Sequence, residues 1–279
     1  MLASHISVNP LSATCGVEVE GLDLRNLADT ELAWLRSAVA ENGVVAVRGQ
    51  DLSPEQHIAF ARQWGEIDYN RFFPIDDRYP EIALVQKEEN QKVNIGGGWH
   101  TDHSYDAEPA MGSILLAREL PPSGGDTLFA SMYAAYDSLS DGLKATLETM
   151  RAVHTADHIY GHEGAYAKTD IASIFRGHDE HTLAVHPVII THPTSGRKAL
   201  YVNPSFTTRF DGWTREESLP LLQYLYAQAI AQDNVCTLQW KPGSVAIWDN
   251  RASWHFAKND YHGHRRVMHR ITIAGCALS

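Results

Sequence analysis

Short strand-like segments in the second half of the chain most constrain its fold. VCTLQW, GSVAIWDN and RVMHRITIAG are apolar, rich in β-branched and aromatic residues, and flanked by turn residues. Helices are predicted earlier, in DTELAWLRSAVAENG and LSPEQHIAFARQWG. A doubly wound parallel sheet is disfavoured because strands and helices do not keep alternating. The pattern predicts a mixed α+β fold with a mainly β core, a double-sheet barrel or jelly roll decorated with helices.

The length and composition fit one domain. The chain has 279 residues, of which 44% are hydrophobic, so a sizeable core can form. It carries no internal repeat and no long linker, which predicts a single domain over residues 1–279. Residues 155–183 are rich in His, Gly and Asp without a clear period, and we expect a partly mobile, lid-like insertion there.

Charge and cysteine usage bear on partners and location. The net charge of -11 argues against a general nucleic-acid binder. No apolar stretch approaches the roughly 20 residues of a membrane helix, and the N-terminal segment does not resemble a signal peptide. The three cysteines are widely spaced and form no CxxC motif. This usage predicts a reducing compartment and a cytoplasmic protein.

A glycine run precedes a histidine and an aspartate in GGGWHTDHSY, residues 96–105. The segment matches neither the Walker loop nor the dinucleotide-binding turn, so a phosphate cradle is disfavoured. On an extended strand, His100 and Asp102 would point the same way, with Thr101 opposite. An imidazole and a carboxylate on one face are two possible metal ligands, although a surface turn explains the pair equally well without a third ligand.

The late segment IWDNRASWHFAKNDYHGHRRVMHRITIAG offers that third ligand. His255 follows the strand SVAIWDN among apolar residues, as expected for a ligand at a strand end. Two histidines and one carboxylate are typical of non-haem Fe(II) oxygenases. On the last strand, Arg266 and Arg270 share one face and His269 lies out of phase with them. Buried arginines require anions, so two anion-binding positions are predicted here.

Long ordered blocks of the chain resemble the taurine dioxygenase family, which includes the phenoxyacetate dioxygenases. The resemblance covers nearly the whole chain and rests on GVEVEGLDL, WHTD, ELPPSGGDTLFA, HPVIITHPTSGRKALYVN, FTTRF and the late segment quoted above. It implies a double-stranded β-helix core, a variant of the jelly roll. It also implies Fe(II), 2-oxoglutarate and O2 as cofactor and co-substrates, with His100, Asp102 and His255 as the iron ligands.

The resemblance implies roles for three further residues. Thr127 and Arg266 match the pair that binds the distal carboxylate of 2-oxoglutarate. Arg270 matches the arginine that binds the anionic group of the substrate in sulfonate-using members. Homodimers and tetramers are common in the family, so a homo-oligomer is a possible state.

The expected activity is hydroxylation of a small organic anion, with succinate and CO2 as co-products. The candidate substrates are a sulfonate, an alkyl sulfate, or an aryloxy or other carboxylic acid. The same scaffold could instead perform desaturation or another oxidation in natural-product metabolism. A third alternative is a catalytically silent anion-binding homologue.

The predicted substrate pocket departs from the taurine-using members. Asn70 stands where taurine dioxygenase has a histidine, and the glycines before His100 lack side chains that could meet an amine. Taurine is therefore disfavoured, and a bulkier aryloxy acid or longer sulfonate is favoured. The candidate pocket residues are Asn70, Ile95, Tyr105 and Phe206. His103 is expected to be a supporting residue or a surface residue rather than a fourth ligand.

Overall fold

The computed structural model describes residues 5–279, and its architecture is mixed α and β, mostly β. The strands are β1 (Ser7–Pro10), β2 (Val17–Glu20), β3 (Val44–Val47), β4 (Ile67–Asp68), β5 (Ala83–Lys87), β6 (Gly112–Glu119), β7 (Thr127–Ser131), β8 (Arg151–His154), β9 (Ala184–Pro187), β10 (Ile189–Thr191), β11 (Lys198–Leu200), β12 (Thr207–Phe210), β13 (Val235–Leu238), β14 (Val245–Asp249), β15 (Ser253–Ala257) and β16 (Arg266–Ile273). The helices are α1 (Asp29–Asn42), α2 (Pro54–Arg62), α3 (Met132–Asp137), α4 (Asp141–Leu147), α5 (Asp157–Tyr160) and α6 (Arg215–Ala229).

The largest sheet has eight strands, and its backbone order is β1-β2-β3-β14-β6-β16-β4, with β5 also paired to β16. All of its neighbouring strands are antiparallel except β2 and β3. Its outer face is covered by α1 and α2, whose Leu35, Val39 and Phe60 belong to the same buried cluster as Val45 and Ile114 of the sheet. The two predicted early helices therefore close one side of the main sheet.

A three-stranded antiparallel sheet, β13-β7-β15, lies against the other face. Ala46, Leu115 and Trp248 of the large sheet form one buried cluster with Phe129 and Leu238 of the small sheet. A second three-stranded sheet, β12-β8-β9, and the β10–β11 hairpin complete the strands. The core between the two facing sheets supports the candidate site, because strands from both sheets carry its residues.

Local sequence signals account for the helix boundaries. The hydroxyl of Ser53 accepts from the amide of Gln56, whose side chain accepts from the amide of Ser53, and Pro54 occupies the first helical position. Such a cap stabilises a helix by about 1 kcal/mol. Helix α1 ends at Gly43, whose φ of 76° favours glycine. No described helix is long and apolar enough to span a membrane.

Two regions depart from long regular elements. The chain around Val188 forms two strands instead of one, because β9 pairs with β8 whereas β10 pairs with β11. The segment 155–183 contains α5 and two short 3₁₀ helices, Ala165–Lys168 and Ala172–Ile174. Its aromatic side chains pack into a cluster with Phe73 and Phe206, which is why it adopts compact turns.

Candidate active site

His100, Asp102 and His255 come together in the structure and are all buried. Each offers one ligand atom, and these atoms lie within 4.8 Å of one another. Nε2 of His100 is 3.5 Å from Oδ1 of Asp102, and Nε2 of His255 is 3.6 Å from Oδ2. Two nitrogens and one carboxylate in this arrangement form a donor set that suits a divalent transition metal.

Backbone pairing fixes the relative position of the two histidines. The amide of His100 donates to the carbonyl of His255 at 3.1 Å, and the reverse bond is 2.8 Å long. His255 lies in the middle of β15, so the expected strand-end position was wrong. Asp102 lies in a turn beyond this bridge, and His103 after it has a left-handed φ of 59°. The turn, rather than an extended strand, aims Asp102 at the histidines.

The protonation state of each ring suits metal binding. Nδ1 of His100 lies 2.7 Å from the carbonyl oxygen of Gly98, an acceptor, so this nitrogen carries the proton and Nε2 presents its lone pair. Burial lowers the pKa of His255 well below its usual range, and neighbouring His100 acts in the same direction. Both imidazoles can therefore act as neutral ligands.

Arg270 keeps the carboxylate of Asp102 charged. Burial alone would raise the pKa of Asp102, but the charge of Arg270 and the two histidines outweigh it and lower that pKa well below its usual range. Nη2 of Arg270 is 2.9 Å from Oδ2 of Asp102, and Nε donates to Ser113 Oγ at 3.0 Å. The guanidinium thus lies between the candidate metal ligands and the adjoining cavity, which it also lines.

Arg266 lies on the same face of β16 as Arg270, four residues earlier in the chain. It is 5% exposed, and among the described residues neither its Nε nor its Nη2 has a hydrogen-bond partner. Burial lowers the pKa of its guanidinium, while nearby Tyr261 acts against that change. A buried cation without an anion is costly, so this position fits a carboxylate of a bound molecule.

Thr127 lines the same cavity as Arg266. The indole nitrogen of Trp240 donates to its hydroxyl oxygen at 2.9 Å. Because indole is a donor only, the hydroxyl hydrogen of Thr127 stays free to donate to an anion. Gly125, with φ of 72°, allows the backbone to approach the Arg266 side chain closely, since a Cβ there would lie 3.3 Å from the Cδ of Arg266.

Two adjacent cavities surround these groups. The inner one, about 50 Å³, is lined by His100, His255, Thr127 and both arginines of β16. The outer one, about 440 Å³, lies between the glycine run 96–98 and the segment 159–169. They share four residues, which are Gly96, His100, Tyr160 and Ala257. The outer cavity therefore reaches the candidate ligand His100, which lines both cavities.

The chain matches one protein family over nearly its whole length. The family model described as "Taurine catabolism dioxygenase TauD, TfdA family" matches residues 7–272. The chain belongs to the TauD/TfdA family.

Individual members of related function align with this chain over nearly their whole length. The chain is 31% identical over 281 residues to an alpha-ketoglutarate-dependent sulfate ester dioxygenase of Pseudomonas putida, covering 98% of this chain and 91% of that protein. It is 32% identical over 280 residues to an (S)-phenoxypropionate/alpha-ketoglutarate-dioxygenase of Sphingobium herbicidovorans, covering 98% and 96%. The crystal structure of a taurine dioxygenase from Burkholderia xenovorans superimposes with a TM-score of 0.82 at 33% identity, covering 98% and 91%.

TauD/TfdA proteins are oxidoreductases that use Fe(II), 2-oxoglutarate and O2. This chain is accordingly an Fe(II)- and 2-oxoglutarate-dependent dioxygenase. The buried His-Asp-His cluster fits the metal, and the two Arg266 nitrogens without a hydrogen-bond partner fit the dicarboxylate.

The substrate-side residues predicted from the sequence lie in different places. Ile95 lines the inner cavity and Phe206 the outer one. Tyr105 is buried against Phe206, with ring centroids 4.9 Å apart. The side-chain oxygen of Asn70 accepts from the amides of Phe72 and Phe73 at 2.9 and 2.7 Å, and Asn70 does not line either cavity. Its role in substrate binding stays a prediction.

His103 directly follows Asp102 in the chain, and its supporting role stays a prediction. It is buried, and its Nδ1 lies 3.1 Å from Asp106 and 3.2 Å from Asp68. Sequence reasoning missed Phe73, Tyr160 and Trp248, which line the inner cavity. Trp248 could have been found, because strand alternation in β14 puts it on the inner face with Ala246. Phe73 and Tyr160 lie outside regular strands, where no periodic signal exists.

Proposed function

We propose that His100, Asp102 and His255 hold the Fe(II) of this dioxygenase. The proposal rests on one observation, the convergence of three buried ligand atoms within 4.8 Å. Bound Fe(II), with 2-oxoglutarate and O2, supplies the oxidising chemistry, which converts 2-oxoglutarate to succinate and CO2 and hydroxylates a C–H bond of the substrate. The chain contributes two imidazoles from residues whose backbones are hydrogen-bonded to each other. It also contributes a carboxylate that Arg270 keeps ionised.

Thr127 and Arg266 are the proposed partners of the distal carboxylate of 2-oxoglutarate. The guanidinium of Arg266 has two nitrogens without partners, and the hydroxyl of Thr127 has a free hydrogen directed by Trp240. Both line the inner cavity together with the metal ligands, so one small dicarboxylate could reach both groups. A bidentate contact with Arg266 would also orient the keto acid end toward the metal ligands.

The proposed substrate is a small organic anion whose charged group meets Arg270. The relatives described above are named for a sulfate ester, for (S)-phenoxypropionate and for taurine, each of which carries an anionic group. The outer cavity favours a substrate with an apolar body over taurine, because it is lined by Val93, Ile159, Tyr160 and Phe206. Ile95 lines the inner cavity of the proposed pocket, and Tyr105 supports it by packing against Phe206.

Several coarser features belong to the same proposal. The two facing sheets are the halves of a jelly roll in a single domain over residues 1–279. Residues 155–183 act as a lid, since Tyr166 and Tyr160 cover the glycine run from that segment.

A cytoplasmic location is supported by three free cysteines, and a homodimer or tetramer stays a prediction. We propose no nucleic-acid or membrane partner, in line with the net charge of -11.

Succinate formation tests the function. The assay contains Fe(II), ascorbate, 2-oxoglutarate and O2, with alkyl sulfonates, alkyl sulfates and aryloxy acids as candidate substrates. At least one compound should stimulate succinate formation and gain one oxygen atom. The oxygen is found in a hydroxylated product, or in a carbonyl product formed together with sulfite, sulfate or a phenol when the hydroxylated carbon carries that group. His255→Ala should abolish both succinate and product. His262→Ala is the matched control, because His262 is exposed and outside the cluster. Unchanged turnover in His255→Ala, or a product that loses two hydrogens instead, would contradict the proposed ligand or the proposed hydroxylation respectively.

A further inference from the structure

Lys87 is a buried cation that the reaction described above does not use. It ends strand β5 and is only 1% exposed. Its Nζ has no hydrogen-bond partner among the described residues, and neither Lys87 nor Arg266 takes part in an ion pair there. A buried amine with no polar contact is rare, because desolvation of its charged form is costly.

The sheet register places Lys87 beside Arg266. The two Cα atoms are direct partners in the antiparallel pair of β5 and β16. Directly opposed residues project to the same face, with Cβ atoms about 5 Å apart. Val85, two residues before Lys87 on that face, lines the inner cavity with Arg266. Two like charges in direct opposition destabilise a sheet, unless an anion lies near both.

The nearby protein carboxylates are engaged elsewhere. Oδ2 of Asp126 lies 3.3 Å from Nζ of Lys258, and Oδ1 of Asp260 accepts from the amide of Gly125 at 2.7 Å. Lys87 instead sits over the ring of Tyr261, with Nζ 4.7 Å from the ring centroid. That distance is typical of a cation–π contact. The protein itself therefore supplies a π face to Lys87, but no described carboxylate forms an ion pair with either cation.

Tyr261 links Lys87 to Arg266. Its ring is buried, and a Cβ at Gly125 would lie 3.3 Å from both the Tyr261 ring and the Arg266 side chain. Lys87 on one side and Gly125 on the other thus fix this ring beside the guanidinium. Lys87 does not line the inner cavity, so it would act on a ligand through Tyr261 and through its charge, without direct contact.

We propose that Lys87 is a positioning residue for the distal carboxylate of 2-oxoglutarate. This inference rests on the proposed role of Arg266. Lys87 holds Tyr261 against Arg266 and adds a second positive charge behind the carboxylate position. In a site of low dielectric, a charge beyond contact distance still contributes to binding. Recognition of the dicarboxylate therefore depends on two cations, of which only one touches it.

Binding of two keto acids distinguishes this role from simple packing. The ligands are 2-oxoglutarate and 2-oxopentanoate, which has the same carbon chain without the distal carboxylate. Their dissociation constants are measured by calorimetry on the Fe(II)-loaded protein without O2. Lys87→Met should weaken 2-oxoglutarate by about tenfold and leave 2-oxopentanoate nearly unchanged. Gln86→Met, one residue earlier and on the opposite face of β5, should change neither.

Each outcome has a distinct meaning. If the wild-type protein does not prefer 2-oxoglutarate, the proposed carboxylate site at Arg266 is wrong. If the wild type prefers it and Lys87→Met keeps the same preference, or weakens both ligands equally, the Lys87 proposal is overturned. Lys87→Arg retains the charge and should retain the preference; loss of the preference in this variant would also overturn a charge-based role. Because the readout is a ratio of two constants, partial destabilisation of a variant does not obscure it.

Discussion

Arg270 and Asp102 form a buried ion pair, with Nη2 of the arginine 2.9 Å from Oδ2 of the carboxylate. The same guanidinium lies 5.7 Å from the ring centroid of Phe73 and 5.9 Å from that of Trp248, so aromatic faces enclose it. Arg270 thus serves two proposed purposes. It balances the charge of a metal ligand and presents its remaining edge to the substrate cavity.

Replacing Arg270 with Met should destabilise the metal-free protein more than the metal-loaded protein. Without the arginine, Asp102 is a buried charge with no cation, and breaking such a pair costs about 3–5 kcal/mol. A bound divalent metal would replace the missing positive charge. Urea unfolding with and without Mn(II) measures the two losses. Arg62→Met is the control, since its pair with Glu81 is exposed on the arginine side; equal losses in both metal states would contradict the prediction.

Tyr166 should hold the segment 155–183 against the glycine run. Its phenol oxygen accepts from the amide of Gly96 at 3.0 Å, and Asp170 accepts from the amides of Lys92 and Val93. Tyr166→Phe removes the first contact, which is worth about 1 kcal/mol. We expect several-fold faster limited proteolysis within 155–183 and a higher KM for the substrate.

The matched control for this variant is Tyr224→Phe, because Tyr224 is an exposed tyrosine on α6. Its proteolysis rate and KM should equal those of the wild type. Cleavage of Tyr166→Phe at the wild-type rate would mean that aromatic packing alone holds the segment.

His57 should make stability fall as the pH decreases. Burial lowers its pKa to about 3, and neighbouring His269 acts in the same direction. The unfolded chain binds a proton near pH 6.5, whereas the folded chain does not until about pH 3. The contribution is therefore complete above pH 6.5 and is lost below it, by about 1.4 kcal/mol per pH unit.

Urea unfolding of the metal-free protein between pH 6 and 4 measures this slope. His57→Leu should reduce it by the equivalent of one proton, and His262→Gln, at an exposed position, should leave it unchanged. A slope in His57→Leu equal to that of the wild type would show that the unfolding reaction takes up no proton at His57.

The three cysteines should differ in reactivity. The thiols of Cys15 and Cys236 are buried with sulfur atoms 3.2 Å apart, and Cys276 is exposed. The hydrogen bond with Cys236, followed by burial, raises the pKa of the Cys15 thiol well above its usual range. At pH 8, a disulfide reagent such as Ellman's should therefore modify one thiol rapidly and the other two only after unfolding. Rapid modification of Cys276→Ser would contradict this assignment.

Sequence reasoning succeeded where a local rule determines the structure. The segment LSPEQHIAFARQWG was predicted as a helix and contains α2. Alternation along β16 correctly separated the buried Arg266 and Arg270 from the partly exposed His269. It also brought His100, Asp102 and His255 to one place, through the family resemblance. These features depend on short-range periodicity or on ordered motifs.

The remaining features depend on pairing between distant segments. Lys87 lies beside Arg266 only because β5 pairs with β16, which lies about 180 residues later in the chain. Tyr160 reaches the cavity from a segment without any period, so no pattern predicts it. The side chain of Asn70 bonds to two following amides, a local turn contact that competes with any role toward a ligand.

The reciprocal amide bonds between His100 and His255 have a consequence for how the protein acquires its iron. They set the spacing of the two proposed ligands through the backbone, so we expect this spacing to be independent of a bound ion. In zinc fingers, by contrast, the metal itself organises the chain. If a chelator removes the iron from this protein, we expect the chain to keep its fold. Iron would then rebind in a single bimolecular step. Oxidative loss of the metal during turnover would then be repaired without refolding.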